Sequence, residues 1–264
     1  MEYRQILSHM IYVARKAGEI IMYTKEQGFG RSLNHRGGAS TTADERVKAF
    51  VREKVPQRFP GCGLLTEESR DSLDRLDKEC VFIVDEVDGS RSFARGEDQF
   101  SFMMAYVVNG VPTIGIVSEP QKGRMIYGVK GELVEIKEGI EFYPLELREG
   151  VSLDNFVVSH HSSNFVPPGG LGVPEERLQR VSSMGTMITR LAMGETDVVI
   201  GSSRGLNEWD VAAGQVILEE MGFIVGDLNG GEFVYNKERP NMGREGIMIA
   251  HPAIAEDVTK VLRM

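Results

Sequence analysis

Residues 84–93 read VDEVDGSRSF and set Asp85, Glu86 and Asp88 between an apolar run and a Gly-Ser turn. The preceding CVFIV, residues 80–84, is rich in β-branched and aromatic side chains and predicts a buried strand. Bare carboxylates are costly at the end of such a strand, so the stretch demands a cationic partner.

Upstream, Leu64-Leu65 runs into Thr66-Glu67-Glu68 and predicts a second strand whose end delivers acids. Earlier still, Thr42-Ala43-Asp44-Glu45 has capping-box spacing ahead of Val47, Phe50, Val51 and Val55. In the predicted helix Thr42 and Glu45 serve the first amides, which leaves Asp44 to point elsewhere. The polar, glycine-bearing GFGRSLNHRGGAS, residues 28–40, predicts a mobile loop feeding that helix. Before it, Ile6, Met10, Val13, Ala17 and Ile20 fall on one face of a first helix.

Downstream, SFMMAYVV and VPTIGIVS flank Asn109-Gly110, a hairpin signal because both residues tolerate positive φ. RMIYGV and ELVEI extend the same antiparallel sheet. The second half opens with FVVSHHSS and a surface connection, FVPPGGLGVP. RVSSMGTMITRLAMGETDVVIG predicts a strand end, a Gly-Thr turn, a helix and another strand. Trp209-Asp210 then starts a helix that buries Ala213, Val216, Ile217 and Met221 and stops at Gly222. The predicted fold class is α+β to about residue 150 and α/β beyond. Two domains are expected: 1–150, with most of the candidate ligands, and 151–264, supplying Asp210 and substrate contacts.

A chain of 264 residues, 41% of them apolar, can build an ordinary core without staples. Cys62 and Cys80 lack paired zinc-type spacing, so neither a disulfide framework nor a zinc site is expected, and the compartment is read as reducing and cytoplasmic. The N-terminal residues contain no apolar stretch of signal or membrane length. A net charge of -9 argues against a nucleic-acid polymer as partner. It leaves room for a small phosphorylated substrate if metal ions reverse the local sign.

Asp85 and Asp88 leave one strand, Glu67 leaves another, and Asp210 opens a distant helix. Carboxylates with hydroxyl neighbours and no His or Cys cluster suit hard ions such as Mg²⁺. Gly89-Ser90 and Gly185-Thr186 offer amides and hydroxyls to phosphate oxygens. Taken singly, an Asp-x-x-Asp-Gly belongs to ordinary turns, Asp210 to an N-cap and Glu67-Glu68 to a solvated loop. Their joint order carries the reading.

In that order, TTADERV, LLTEES, DEVDGSRSF and GLNEWDVAAG resemble the inositol monophosphatase superfamily of Mg²⁺-dependent, lithium-sensitive phosphatases, over nearly the whole chain. The resemblance implies the sugar-phosphatase fold, with alternating helix and sheet layers, and two or three Mg²⁺ ions. It implies that Glu67, Asp85 and the Val87 carbonyl bind a first metal while Ser90 helps hold the attacking water. Asp85, Asp88 and Asp210 would bind a second. Asp44 would support a further ion or the water network, and Asp88, Gly89, Ser90, Gly185 and Thr186 would receive the phosphate. The family pattern is usually D-P-(I/L)-D-G-(S/T), so Glu86 stands in place of a proline, either facing solvent or adding charge near the site. A homodimer is implied by resemblance alone.

SSRGLNEWDVAAG, GGEFVYN and VVSHHSSN are more similar to the bacterial 3'(2'),5'-bisphosphate nucleotidases, which implies 3'-phosphoadenosine 5'-phosphate as substrate. Ser203 stands seven residues before Asp210, where inositol monophosphatases often carry a Glu. Thr189, beside Arg190, stands where many nucleotidases carry a Lys, and Arg204 is expected to supply the charge for a second phosphate. His160 and His161 are candidates to touch a base or ribose. Inositol phosphate and fructose 1,6-bisphosphate are the alternative substrates. A non-catalytic phosphate-ligand binding protein is the alternative class, against which stands the presence of Glu67, Asp85, Asp88 and Asp210 together.

Overall fold

A computed structural model describes residues 3–34, 39–132, 134–161, 172–201, 205–243 and 245–262. The chain opens with helix α1 (Tyr3–Gln27), a ribbon of β1 (Arg31–Leu33) and β2 (Ala39–Thr41), and helix α2 (Thr42–Arg58). Strands β3 (Gly63–Thr66) and β4 (Cys80–Asp88), short helix α3 (Ser90–Arg95), and strands β5 (Ser101–Val108), β6 (Val111–Glu119), β7 (Arg124–Val129), β8 (Val134–Glu138) and β9 (Glu141–Pro144) follow. The remainder comprises β10 (Val158–His160), β11 (Leu178–Arg180), α4 (Met184–Ala192), β12 (Val198–Gly201), α5 (Glu208–Glu220), β13 (Ile224–Gly226), β14 (Ile247–Ala250) and α6 (Ala255–Leu262).

Strands β3 to β9 form one seven-stranded sheet in sequence order. Among the described residues of this sheet, only the β3–β4 pair is parallel. Both faces of β4 are covered, which is why its apolar run is unbroken. Phe82 and Val84 face α1 and α2, packing in a core with Met10, Val13, Val47 and Val51. Val81 and Ile83 face α4 and α5, in a core with Met187, Ile188, Ala213 and Ile217. The hairpin at Asn109-Gly110 forms as expected, with φ of 49° and 77°.

The second sheet has the order β11-β10-β12-β14-β13. Val199, Ile247 and Ile249 join the α4–α5 core. Val198, Ile200, Met248 and Ala250 turn to the other side, against α6 residues Val258 and Leu262. The layers therefore run helix, sheet, helix, sheet, helix, as the resemblance implied. The α4–α5 core takes side chains from both sides of residue 150, Ile83 and Val199 among them.

Several local expectations are corrected. The segment feeding α2 contains an antiparallel ribbon, with Arg31 opposite Thr41, rather than only a loop. The cap of α2 is Thr41 with Asp44, one residue earlier than Thr42 with Glu45, and Glu45 is exposed. Burial decides this, since Ala43 and Asp44 must face inward together. On α1 the buried position is Ile21, with Ile20 half-buried. Gly185 and Thr186 form the first turn of α4 instead of a turn before it, because Ser183 caps that helix. Cys62 and Cys80 are joined in a disulfide, their Cα atoms 4.9 Å apart. The parallel β3–β4 pairing places them together, and the cysteine argument for a reducing compartment falls with it. Residues 165–171 of the Pro/Gly-rich connection lie outside the described residues. Among the described residues no helix is long and apolar enough to cross a membrane.

Candidate metal and phosphate site

A strand points successive side chains to opposite faces, so residues three apart, such as Asp85 and Asp88, would normally diverge. A bulge removes that obstacle. Asp85 pairs with Met103 and Asp88 with Ser101, so three steps on β4 match two on β5. The extra residue re-aims the strand end, and carboxylate oxygens of Asp85, Asp88 and Asp210 all come within 4.8 Å of one another. Glu67, directly after β3, stands beside this trio.

Each acid is held by its own backbone context. Asp44 is the third residue of α2, and its Oδ2 accepts the Thr41 amide at 2.7 Å and the Thr41 hydroxyl at 2.6 Å. Asp210 occupies the same place in α5, with Oδ2 accepting the Asn207 amide at 2.6 Å. Both helix starts thus orient an acid by using one of its oxygens as a cap. The other oxygen of Asp44 lies 2.9 Å from Ser90 Oγ, which is also 2.7 Å from the Val87 carbonyl oxygen. The single Ser90 proton serves one of them at a time.

Asp88 is the most heavily engaged. Its Oδ2 accepts the Ser101 hydroxyl at 2.9 Å, the Gly185 amide at 2.7 Å and the Ser183 hydroxyl, while Oδ1 accepts the Met184 amide at 3.1 Å. The positive end of α4 is therefore spent on Asp88. The Gly185 and Thr186 amides expected to receive phosphate go to Asp88 and Ser183, and the Thr186 hydroxyl lies 3.3 Å from Glu119 Oε1. Gly185 must be a glycine, since a Cβ there would meet Ser101 Oγ at 2.0 Å. Gly89, at φ +80°, makes the left-handed turn from β4 into α3, and a Cβ on it would meet the Gln99 carbonyl at 2.5 Å.

The electrostatics are those of a cluster able to hold a cation. Burial, then the neighbouring charges of Asp210 and Glu68, pushes the Glu67 carboxyl far above its usual range. Burial and then Glu67, Asp88 and Asp210 do the same to Asp85, whose Oδ1 has no hydrogen-bond partner. Asp44 is raised to about 6, chiefly by burial. Glu86 is fully buried, which settles its position against the solvent-facing alternative, and burial raises it to about 8. Its Oε2 accepts the Glu68 amide at a long 3.4 Å and its Oε1 is unpartnered. Glu68 in turn accepts Asn34 and the Ser40 hydroxyl, each at 3.0 Å, and ties the β1–β2 ribbon to the site. An all-oxygen donor set with an orphaned buried carboxylate oxygen fits a hard divalent ion.

Beside the trio lies a recess of about 300 Å³, lined by Asp88 and Asp210 together with Arg91, His161 and the apolar side chains of α4 and β12. The sequence reading missed Arg91, Ser101 and Ser183. Ser183 carried an N-cap signal ahead of an apolar run, whereas the other two act through distant contacts that leave no local signature. Arg204 and Ser203 lie outside the described residues. Arg190 is committed elsewhere, 2.6 Å from Gln179 and 3.8 Å from Glu195. Thr189 is buried within α4. His160 is half-buried in β10.

A five-layer fold whose strand-end bulge and two helix starts converge on an all-carboxylate cluster defines a class of metal-dependent phosphomonoesterases. The sequence pattern of the inositol monophosphatase family matches residues 2–263, and the chain belongs to that family. It is 26% identical to "Nus factor SuhB" of Pasteurella multocida over 237 residues, 86% of each chain. It is also 26% identical to "Fructose-1,6-bisphosphatase/inositol-1-monophosphatase" of Thermotoga maritima over 270 residues, 97% of this chain and 95% of the relative. The solved structure of a Thermotoga maritima IMPase shares the fold, with a TM-score of 0.81 at 23% identity, covering 98% of this chain and 97% of that one.

Proposed function

We propose that this phosphatase of the inositol monophosphatase family uses Mg²⁺ to remove the 3'-phosphate of 3'-phosphoadenosine 5'-phosphate. The observation that carries the metal chemistry is the convergence of Asp85, Asp88 and Asp210 oxygens within 4.8 Å, with Glu67 alongside. Glu67, Asp85 and the Val87 carbonyl would hold one ion, and Asp85, Asp88 and Asp210 a second. Bound there, divalent ions supply Lewis-acid polarisation of the ester and a more acidic water. The water oxygen bonds to phosphorus, the ester P–O bond breaks, and the leaving oxygen takes up a proton to give an alcohol and inorganic phosphate.

The chain's own groups orient these events. Ser90 is placed to hold the attacking water, and Asp44, whose Oδ1 lies 2.9 Å from the Ser90 hydroxyl, orients it. Gly89 and Ser90 lie at the phosphate, while Gly185 and Thr186 serve it indirectly by fixing Asp88 and the start of α4. The halves 1–150 and 151–264 meet at this site, the second contributing Asp210. Homodimer formation and a cytoplasmic location belong to the same reading.

The recess favours the nucleotide over inositol 1-phosphate or fructose 1,6-bisphosphate, because its walls are largely apolar. The test is phosphate release with Mg²⁺ from these three esters at matched low concentration, repeated after chelation. Preference for the nucleotide with loss on chelation is the expected result. Preference for a sugar or inositol phosphate would keep the metal chemistry and replace the substrate. Tight binding of the esters without turnover would favour the non-catalytic class.

A further inference from the structure

The recess beside the cluster has two chemically distinct parts. Met184, Met187, Leu206 and Ile247 line it together with Asp88 and Asp210. Met184, Met187 and Ile247 also belong to the α4–α5 core and are nearly buried, so the floor of the recess is apolar core. A polyol placed against it would leave ring hydroxyls without partners, whereas a flat heterocycle gains apolar burial and contact with two methionine sulfurs.

Arg91 is exposed at the edge of the same recess, on the first turn of α3. It makes no hydrogen bond or ion pair among the described residues, although two carboxylates line the recess with it. By contrast Arg95, on the same short helix, is paired with Glu97. A free guanidinium at the edge of an apolar recess, next to a phosphate site, is placed to grip an anion on the departing part of the ester.

We propose that this recess is the leaving-group subsite and that Arg91 reads a second anionic group, so that the preferred substrate is a flat heterocyclic ester carrying a phosphate besides the one removed. This rests on the phosphatase reading above and assigns the charge-reading role to Arg91. The ring and the second phosphate are thus recognised by different walls.

Two esters isolate the arginine. 3'-Phosphoadenosine 5'-phosphate and adenosine 3'-phosphate share ring, ribose and scissile group and differ only in the 5'-phosphate. The wild-type KM should be lower for the bisphosphate by roughly tenfold or more, as expected for a charge-assisted contact. R91M should erase most of that ratio and R91K should keep part of it. An unchanged ratio in R91M would overturn the role of Arg91. A lower KM for inositol 1-phosphate than for either nucleotide would overturn the apolar subsite while leaving the phosphatase reading intact. Calorimetric titration of both nucleotides into the Ca²⁺-loaded wild-type and R91M proteins reads the same ratio without turnover. Discrimination in the titration with no hydrolysis would therefore count against the phosphatase reading alone.

Discussion

Asp85 concentrates the chemistry in one side chain. It is almost fully buried, its carboxyl is pushed up by burial and by Glu67, Asp88 and Asp210, and its Oδ1 lacks a hydrogen-bond partner. No protein donor satisfies that oxygen, so a bound cation would compensate the charge once the proton is lost. Asp85→Asn retains the shape and removes the charge. Altering a group behind a metal ligand costs about 10- to 100-fold in affinity or activity, so loss of a shared ligand should lower turnover by about 100-fold or more at saturating Mg²⁺. Steady-state kinetics on the purified variant check this, and turnover within a few-fold of wild type would remove Asp85 from the metal site. Asp85, Asp88, Glu67, Asp44 and Asp210 were all legible in the sequence, because four motifs occurred in one order. Arg91 was not, since its significance comes from the walls of a recess assembled by residues far along the chain.

The elements show where sequence reading stops. A capping box can be drawn from Thr41 to Asp44 or from Thr42 to Glu45, and only the burial of Ala43 and Asp44 chooses between them. The bulge between Asp85 and Asp88 likewise has no composition of its own, yet without it the two acids would face opposite sides. A third feature, the buried clamp on α5, spans three segments. Arg75, 2% exposed, donates to Asp71 at 2.7 Å, to the Asn236 side chain at 2.6 Å and to the Lys237 carbonyl at 2.7 Å. Glu208, first residue of α5 and fully buried, accepts the Asn236 and Lys237 amides at 2.7 and 3.0 Å. The connection between β3 and β4 is thereby locked to the helix start that carries Asp210. R75M should loosen Asp210 relative to Glu67 and raise the Mg²⁺ concentration for half-maximal activity by about tenfold, with a smaller change in turnover at saturation. R75K should restore part of it. A lowered melting temperature with an unchanged Mg²⁺ activation curve would limit the clamp to holding the fold.

Across the whole molecule, an excess of acid is both a functional device and a liability. The chain carries a net charge of -9, and several of its carboxylates are gathered at one buried site. Burial raises Glu86 from 4.5 to about 8 and Asp44 from 3.8 to about 6, and pushes Glu67 and Asp85 upward as well. An acid whose folded pKa exceeds its unfolded value keeps its proton longer in the native state. Between the two values the native state binds more protons than the unfolded chain, so stability falls as pH rises. The metal-free protein should therefore lose melting temperature steadily from about pH 5 to about pH 8. Divalent ions invert the balance, because they bind the ionised carboxylates and stabilise the native state by mass action. Mg²⁺ should raise the melting temperature more at pH 8 than at pH 5, and its addition near pH 7 should release protons. Scanning calorimetry of chelator-treated and Mg²⁺-loaded protein across this range checks the sign directly. A metal-free melting temperature that rose with pH would mean that these carboxylates are already ionised and compensated without an ion, and the reading of the buried acids as a cation site would be wrong.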